Sequence, residues 1–442
     1  MFESLPGFRE FYPSECSRRN HLFQVWRRTA VSFGFQEYDA PLLEPLELYV
    51  EKSGAEIVDQ LFNFRDKGGR EVAMRPELTP SLARMAGARA NSLKRPVKWY
   101  CIGENFRYEK PQKGRLRSHY QLNCDILGEA GPGADAELIA LLVAVLRALG
   151  LGADDVVVRL SDRTLWMHYL AAMGLDAASA GGVLGVIDKM ERQGRDETIR
   201  KLEPWLGAEA SDFLIRVEAL ARIRDLGALR SQLSGHGGNS EAGVLLEGRL
   251  AEWEVLLASL EALGVADMVR LDLGVVRGLA YYTGFVFEVF ERGEGETRGR
   301  AVAGGGRYDH LVEKLGYPAL PAVGFGLGDV VLSDLLDEKG LLPAYVSMPD
   351  VYVVAGPGDA RAAALRGATA LREAGYRVEY ALRDTGFGRQ FRFAGGSGAR
   401  FAVIFGEEEV RLGAAKIRDM QSGAEEVVPV GRMLEVLGER LG

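Results

Sequence analysis

Arg107, Gln121 and Asp125 are the residues of this 442-residue chain whose types and spacing say most about chemistry. They lie within residues 98–128, KWYCIGENFRYEKPQKGRLRSHYQLNCDILG. The two ends of this stretch are rich in strand formers, and the middle, EKPQKGR, has the proline, glycine and charge of an exposed loop. The pattern predicts a hairpin with a long basic tip. Successive strand side chains point to opposite faces, so Gln121, Asn123 and Asp125 share one surface and Tyr120, Leu122, Cys124 and Ile126 the other. On the incoming strand, Asn105 and Arg107 point together, away from Phe106. One sheet surface then offers a guanidinium, amides and a carboxylate, a set able to hold an anion beside a cation. A structural sheet with one wet face shows the same alternation. The tip residues Lys110, Lys113, Arg115 and Arg117 form a local basic patch, readable as a phosphate or RNA contact or as a solvated loop.

Three further groups fit the same kind of chemistry. In RPELTPSLAR, Thr79 followed by Pro80 reads as a helix start, with Thr79 as the cap. Glu77 then stands just before a helix N-terminus, where a carboxylate serves as a dipole partner. VVRGLAYYTGFVFE places Arg277 between small residues and ahead of Tyr281 and Tyr282. AGGGRYDHLV brings Gly304 and Gly305 close to Arg307; a glycine run lets backbone approach a ligand, and it also makes a plain turn.

These residues need a scaffold, and the chain supplies one with a mixed pattern. An amphipathic helix is predicted over 16–33, followed by a strand ending at Pro41, where a proline suits a strand end. A hairpin with a Gly-Gly turn precedes RPELT, and ADAELIALLVAVLRALGLG is a helix closed by Gly150. Strand VVVRLSDR follows, and residues 165–264 then read as alanine- and leucine-rich helices. Strands return near 269, alternating at Phe285, Phe287 and Val289. PAVGFGLGDVVLSDLL is a strand running into a helix, and KGLLPAYVSMP is a linker. The last stretch alternates strand and helix, predicting a small α/β domain with a parallel sheet.

Composition bounds the rest. With 47% hydrophobic and 26% charged residues, the chain is of ordinary globular type and long enough for two or three domains. A net charge of −8 excludes a protein-wide positive field, so any RNA contact must be local. Cys16, Cys101 and Cys124 are far apart, which argues against a disulfide framework and a zinc site. The first residues lack a signal-peptide pattern and no apolar run reaches membrane-spanning length, so a reducing cytoplasm is expected.

FRYEKPQKGRLRSHYQ resembles the second signature motif of class II aminoacyl-tRNA synthetases in the form used by histidyl-tRNA synthetases. RPELT is similar to that family's RPEGT, VVRGLAYYTG to its first histidine-specific motif and AGGGRYDHLV to its second. The resemblance implies an α+β fold: an antiparallel catalytic sheet flanked by helices, with a helical insertion and a C-terminal α/β anticodon-binding domain. The expected division is 1–164 and 265–340 for the catalytic domain, 165–264 for the insertion, 341–349 for the linker and 350–442 for the last domain. It implies adenylation of L-histidine and transfer to histidine tRNA by a homodimer, with ATP and Mg²⁺ as substrate, no tightly bound cofactor, no separate metal site, and neither DNA nor membrane as partner. By this resemblance Arg107 and Arg277 are catalytic at the α-phosphate. Glu77, Thr79, Gln121, Asp125, Tyr281 and Tyr282 hold histidine. Glu109, Arg115, Gly304, Gly305 and Arg307 join Arg107 and Arg277 around ATP, and Pro41 belongs to the dimer interface. The chain departs from the family at Leu78, at Ala280, and at Val330 and Val331, which stand where the third motif has Glu-Arg. That loss removes a γ-phosphate partner and is what a regulatory paralogue, the ATP phosphoribosyltransferase subunit that reuses this fold, would show. The intact hairpin tip, Arg277 and the C-terminal domain favour the ligase.

Overall fold

The computed structural model describes residues 2–112, 114–190, 193–233, 241–275, 281–293, 298–344 and 348–441. The chain forms two compact units, Met1–Pro343 and Ala344–Gly442.

The first unit is built on an eight-stranded sheet. Its strands lie in the order Gln36–Glu37, Val97–Phe106, Ser118–Leu127, Ala322–Gly328, Arg298–Arg307, Phe285–Arg292, Val156–Asp162 and Val269–Leu271. The inner pairings are antiparallel, and the outermost pair at each edge is parallel. One face packs on helices: Leu122, Cys124 and Ile126 join Phe325, Phe287 and Leu142 in one buried cluster. Helix Pro132–Ala148 runs through that cluster, begun by a proline in its first turn and bearing Asp135 at its N-terminal end and Arg147 at its C-terminal end, as the helix dipole favours. The other face is left to Gln121, Asn123 and Asp125. Between Val156–Asp162 and Val269–Leu271 the described chain is helical, from Arg163–Ala172 to Glu241–Ala262. A small three-stranded sheet, Leu43–Pro45, Glu71–Met74 and Asn63–Arg65, precedes helix Thr79–Ala88.

Local details differ from the sequence reading, each for a physical reason. The first helix spans Pro13–Ser32, three residues earlier than its periodicity suggests, because Pro13 is pre-organised for a helix start. The strand before Pro41 covers only Gln36–Glu37, and Pro41 itself is exposed outside it. Thr79 is the first helical residue and not the cap; Leu78 holds the cap position without a side-chain hydrogen bond. The glycine run is neither loop nor turn, since Gly304, Gly305 and Gly306 lie within strand Arg298–Arg307.

In the second unit the strand order is Val378–Tyr380, Val351–Ala355, Phe401–Phe405, Ala414–Asp419 and Glu425–Pro429. The first three are parallel, as the alternation predicts. The last two are antiparallel, joined through the turn at Asp419, and make the sheet mixed instead of parallel. No helix of the described residues is long and apolar enough to cross a membrane.

Candidate active site

The hairpin Val97–Phe106 and Ser118–Leu127 pairs Gly103 with Gln121, Cys101 with Asn123 and Trp99 with Asp125. On its other edge, Ser118–Leu127 pairs Gln121, Asn123 and Asp125 with Gly328, Gly326 and Gly324. Gly326 and Gly324 in turn pair with Gly304 and Gly306. A row of polar side chains therefore lies beside strands with no side chains on that face. At Gly324 and Gly326 the polar groups occupy the space a side chain would need. A Cβ on Gly324 would lie 1.8 Å from Asp125 Oδ1, and one on Gly326 would lie 2.0 Å from Gln121 Nε2. The result is a trough in the sheet surface, with carboxylate and amides for its floor.

Two cavities open on this trough. The inner one, about 90 Å³, is lined by Glu77, Thr79, Asn123, Asp125, Tyr282 and Tyr308, among others. The outer one, about 680 Å³, is lined by Glu109, Arg115, His119, Ala303, Val330 and Val331, among others. Glu77, Arg107, Gln121, Gly304 and Gly326 border both. The small chamber suits the end of a compact polar ligand, and the large one has the volume of a nucleotide site.

The floor of the inner chamber is fixed from below. Asp125 is 2% exposed, and Tyr308 donates to its Oδ1 at 2.5 Å. Burial and the Asp125 charge hold the Tyr308 hydroxyl protonated, well above the usual tyrosine range. A carboxylate held this way can accept an N–H from a ligand ring. Tyr281 and Tyr282 pack together at a ring separation of 4.6 Å, and Tyr281 meets Tyr308 edge-on at 6.3 Å. Arg107 is steered by Pro76, whose carbonyl accepts from Nε at 3.2 Å. Asn105 donates to Gln121 Oε1 at 3.1 Å.

The outer chamber is cationic at its rim. Arg115 ion-pairs with Glu109 at 3.5 Å across the hairpin tip. Gly114, at φ +78°, brings that tip close to Val331: a Cβ there would lie 3.2 Å from Val331 Cγ2. His119 lines this wall, and burial with the nearby charges of Arg107 and Arg9 pushes its pKa down to about 3, so the ring is neutral at physiological pH. Arg9 also ion-pairs at 2.8 Å with buried Asp329, which accepts from the Tyr120 N–H at 2.9 Å. This ties the N-terminal segment to the hairpin.

Of the residues singled out in the sequence, Glu77, Thr79, Arg107, Glu109, Arg115, Gln121, Asp125, Tyr281, Tyr282 and Gly304 come together around the two cavities. Gly305 faces the other side of the sheet, where a Cβ would meet Phe287 and Phe325. Arg307 is turned away as well. It is buried, ion-pairs with Asp135, and donates to the carbonyls of Glu129 and Gly131. Arg277 and Ala280 lie outside the described residues. Two wall residues, Asn123 and His119, were given no site role from sequence. Asn123 was in phase with Gln121 and Asp125, so the strand period already marked it. Among the described residues no cluster of His, Cys, Asp and Glu has the makings of a metal site. Burial pushes the Cys101 thiol up to about 12, which makes it a poor nucleophile.

In the second unit a cavity of about 610 Å³ is lined by Tyr352, Arg372, Tyr380, Leu382, Arg392 and Phe393, among others. The Arg372 guanidinium lies 5.2 Å from the Tyr380 ring centre.

A family model described as histidyl-tRNA synthetase matches residues 7–329, and one described as anticodon binding domain matches residues 350–440. The chain is 52% identical to the histidine–tRNA ligase of Opitutus terrae, over 97% of this chain and 96% of that protein. It is 41% identical to the histidine–tRNA ligase of Natronomonas pharaonis, again over 97% and 96%. The crystal structure of histidyl-tRNA synthetase from Nostoc sp. PCC 7120 superposes with a TM-score of 0.78 at 25% identity, covering 100% of this chain and 99% of that one. The fold is that of the class II aminoacyl-tRNA synthetases. Within that class, the chain belongs to the histidyl-tRNA synthetase family.

Proposed function

We propose that this chain is a histidine–tRNA ligase, which joins L-histidine to ATP and passes the histidyl group to the ribose of histidine tRNA. The observation that carries this reading is the pair of joined cavities, a small one floored by Asp125 and a nucleotide-sized one rimmed by Arg107 and Arg115. In the first step a histidine carboxylate oxygen attacks the α-phosphate and pyrophosphate leaves. Such a displacement needs positioning and charge stabilisation above all. Arg107, on the border between the cavities, meets the α-phosphate, and Arg277 is assigned to the same phosphate. Asp125, with Tyr282 beside it, accepts an imidazole N–H, while Glu77, Thr79 and Gln121 hold the amino-acid end. Arg115 and Glu109 face the triphosphate, which enters with its Mg²⁺.

Val331 supplies apolar contact to the hairpin tip where the family has an arginine, so Arg115 carries the γ-phosphate. In the second step a tRNA ribose hydroxyl attacks the histidyl carbonyl and AMP leaves. Arg372, Tyr380 and Phe393 give the second unit a cationic and aromatic wall on which unpaired bases can stack. The exposed Pro41, Leu42 and Leu43 are assigned to a homodimer contact. Near-complete coverage by ligases, including the C-terminal domain, supports the ligase over the regulatory paralogue.

The test is amino-acid-dependent exchange of labelled pyrophosphate into ATP, with each standard amino acid supplied alone. Exchange with histidine only, lost in Arg277→Ala, is the expected result. Histidine binding without exchange would overturn the ligase reading.

A further inference from the structure

Asn123 sits midway along the trough, two residues from Gln121 and two from Asp125 on the same strand face. It is 5% exposed and lines the inner cavity, yet among the described residues its buried Oδ1 has no hydrogen-bond partner. A buried amide oxygen left unbonded is costly, and native structures rarely keep one without a use. A half-turn of the amide presents either its oxygen or its NH₂ to the chamber. The neighbouring amide is differently placed. Gln121 Oε1 already accepts from Asn105, and its Nε2 fills the space above Gly326, the residue paired with Asn123. Gln121 therefore meets a ligand chiefly as a donor. A positively charged amino group at this level needs acceptors, and Glu77, Thr79 and Asn123 offer them on the chamber wall.

We infer that Asn123 accepts a hydrogen bond from the α-ammonium group of the bound amino acid, opposite Glu77, and that Gln121 donates beside it. The inference rests on the ligase reading and adds a residue that selects a free α-amino acid. Asp125, about two strand residues or roughly 7 Å further along, is left to the ring.

The experiment measures histidine-dependent pyrophosphate exchange for Asn123→Ala, Asn123→Leu and Asn123→Asp, with urea unfolding of each. Asn123→Ala and Asn123→Leu are expected to raise the KM for L-histidine roughly tenfold to a hundredfold, the loss of one charge-assisted bond, with a much smaller change in kcat. Asn123→Asp keeps an acceptor and restores the KM. Imidazolepropionate carries the ring and carboxylate without the ammonium, so its inhibition constant stays unchanged in Asn123→Ala. An inhibition constant that rises in parallel with the histidine KM would assign Asn123 to the ring and overturn the inference. So would an unchanged KM in Asn123→Ala, or a loss in Asn123→Asp equal to that in Asn123→Leu. Failure of the parent protein to exchange with histidine would instead remove the ligase reading beneath it.

Discussion

Gly324→Ala should disable histidine use by moving a single carboxylate. The added methyl carbon would lie 1.8 Å from Asp125 Oδ1, 2.7 Å from its Cγ and 3.1 Å from the Cys124 carbonyl oxygen. Ordinary non-bonded contact begins near 3.5 Å, so the carboxylate must move by roughly 1.5 Å. The backbone has little room to yield, because Gly324 is laddered to Asp125 on one side and to Gly306 on the other. The displacement breaks the Tyr308 hydrogen bond, a charge-assisted contact of about 1.5–3 kcal/mol. Overpacking should lower unfolding free energy by about 1–3 kcal/mol, leaving the protein folded. Misplacing a reacting geometry by about 1 Å costs on the order of a hundredfold, so kcat/KM for histidine should fall by about that factor. The KM for ATP should stay near its parent value, since Gly324 does not line the outer cavity. Pyrophosphate exchange measures both constants. A double-mutant cycle with Asp125→Ala supplies the decisive control: the double variant should be no worse than Asp125→Ala alone. A Gly324→Ala protein with parental histidine kcat/KM, or losses that multiply in the cycle, would refute the placement of Asp125 at the substrate.

Three other outcomes are expected. His119, with its pKa held at about 3, gives stability that is fully present above pH 6.5 and is lost as the pH falls toward 3, because only the unfolded chain takes up the proton in that window. Between pH 7.5 and pH 5, urea unfolding of His119→Phe should lose about 2 kcal/mol less than the parent does; equal losses would show that the ring is free to protonate. Trp166 donates to the Leu273 carbonyl at 3.1 Å, whereas the buried Trp253 Nε1 has no hydrogen-bond partner among the described residues. Trp166→Phe should therefore destabilise by about 1 kcal/mol more than Trp253→Phe, as read by unfolding midpoints. Gly248 is exposed within helix Glu241–Ala262, with none of the described residues within 4 Å of an added Cβ. Gly248→Ala should stabilise by roughly 1 kcal/mol in the same assay, and a loss would mean that this face is covered.

The sequence alone determined which residues share a sheet face, because strand alternation is a local rule that needs no partner. Gln121, Asn123 and Asp125 were in phase before any fold was known, and the hairpin tip was legible from its proline, glycine and charge. The signature strings also carried the family. What lay beyond reach was everything set by pairing between distant strands. The glycine run could not be told from a turn, because only its pairing with Ala322–Gly328 and Phe285–Arg292 makes it a strand, in which a Cβ on Gly306 would meet Tyr282 and one on Gly305 would meet Phe287. Arg307 read as a ligand residue because its neighbours were right, yet tertiary packing gives it a buried carboxylate, Asp135, far away in the chain. Only burial of His119 in the cavity wall, with the charges of Arg107 and Arg9 nearby, holds its ring neutral far below the usual imidazole range. Periodicity fixes which way a side chain points, and burial and charge fix what it does there.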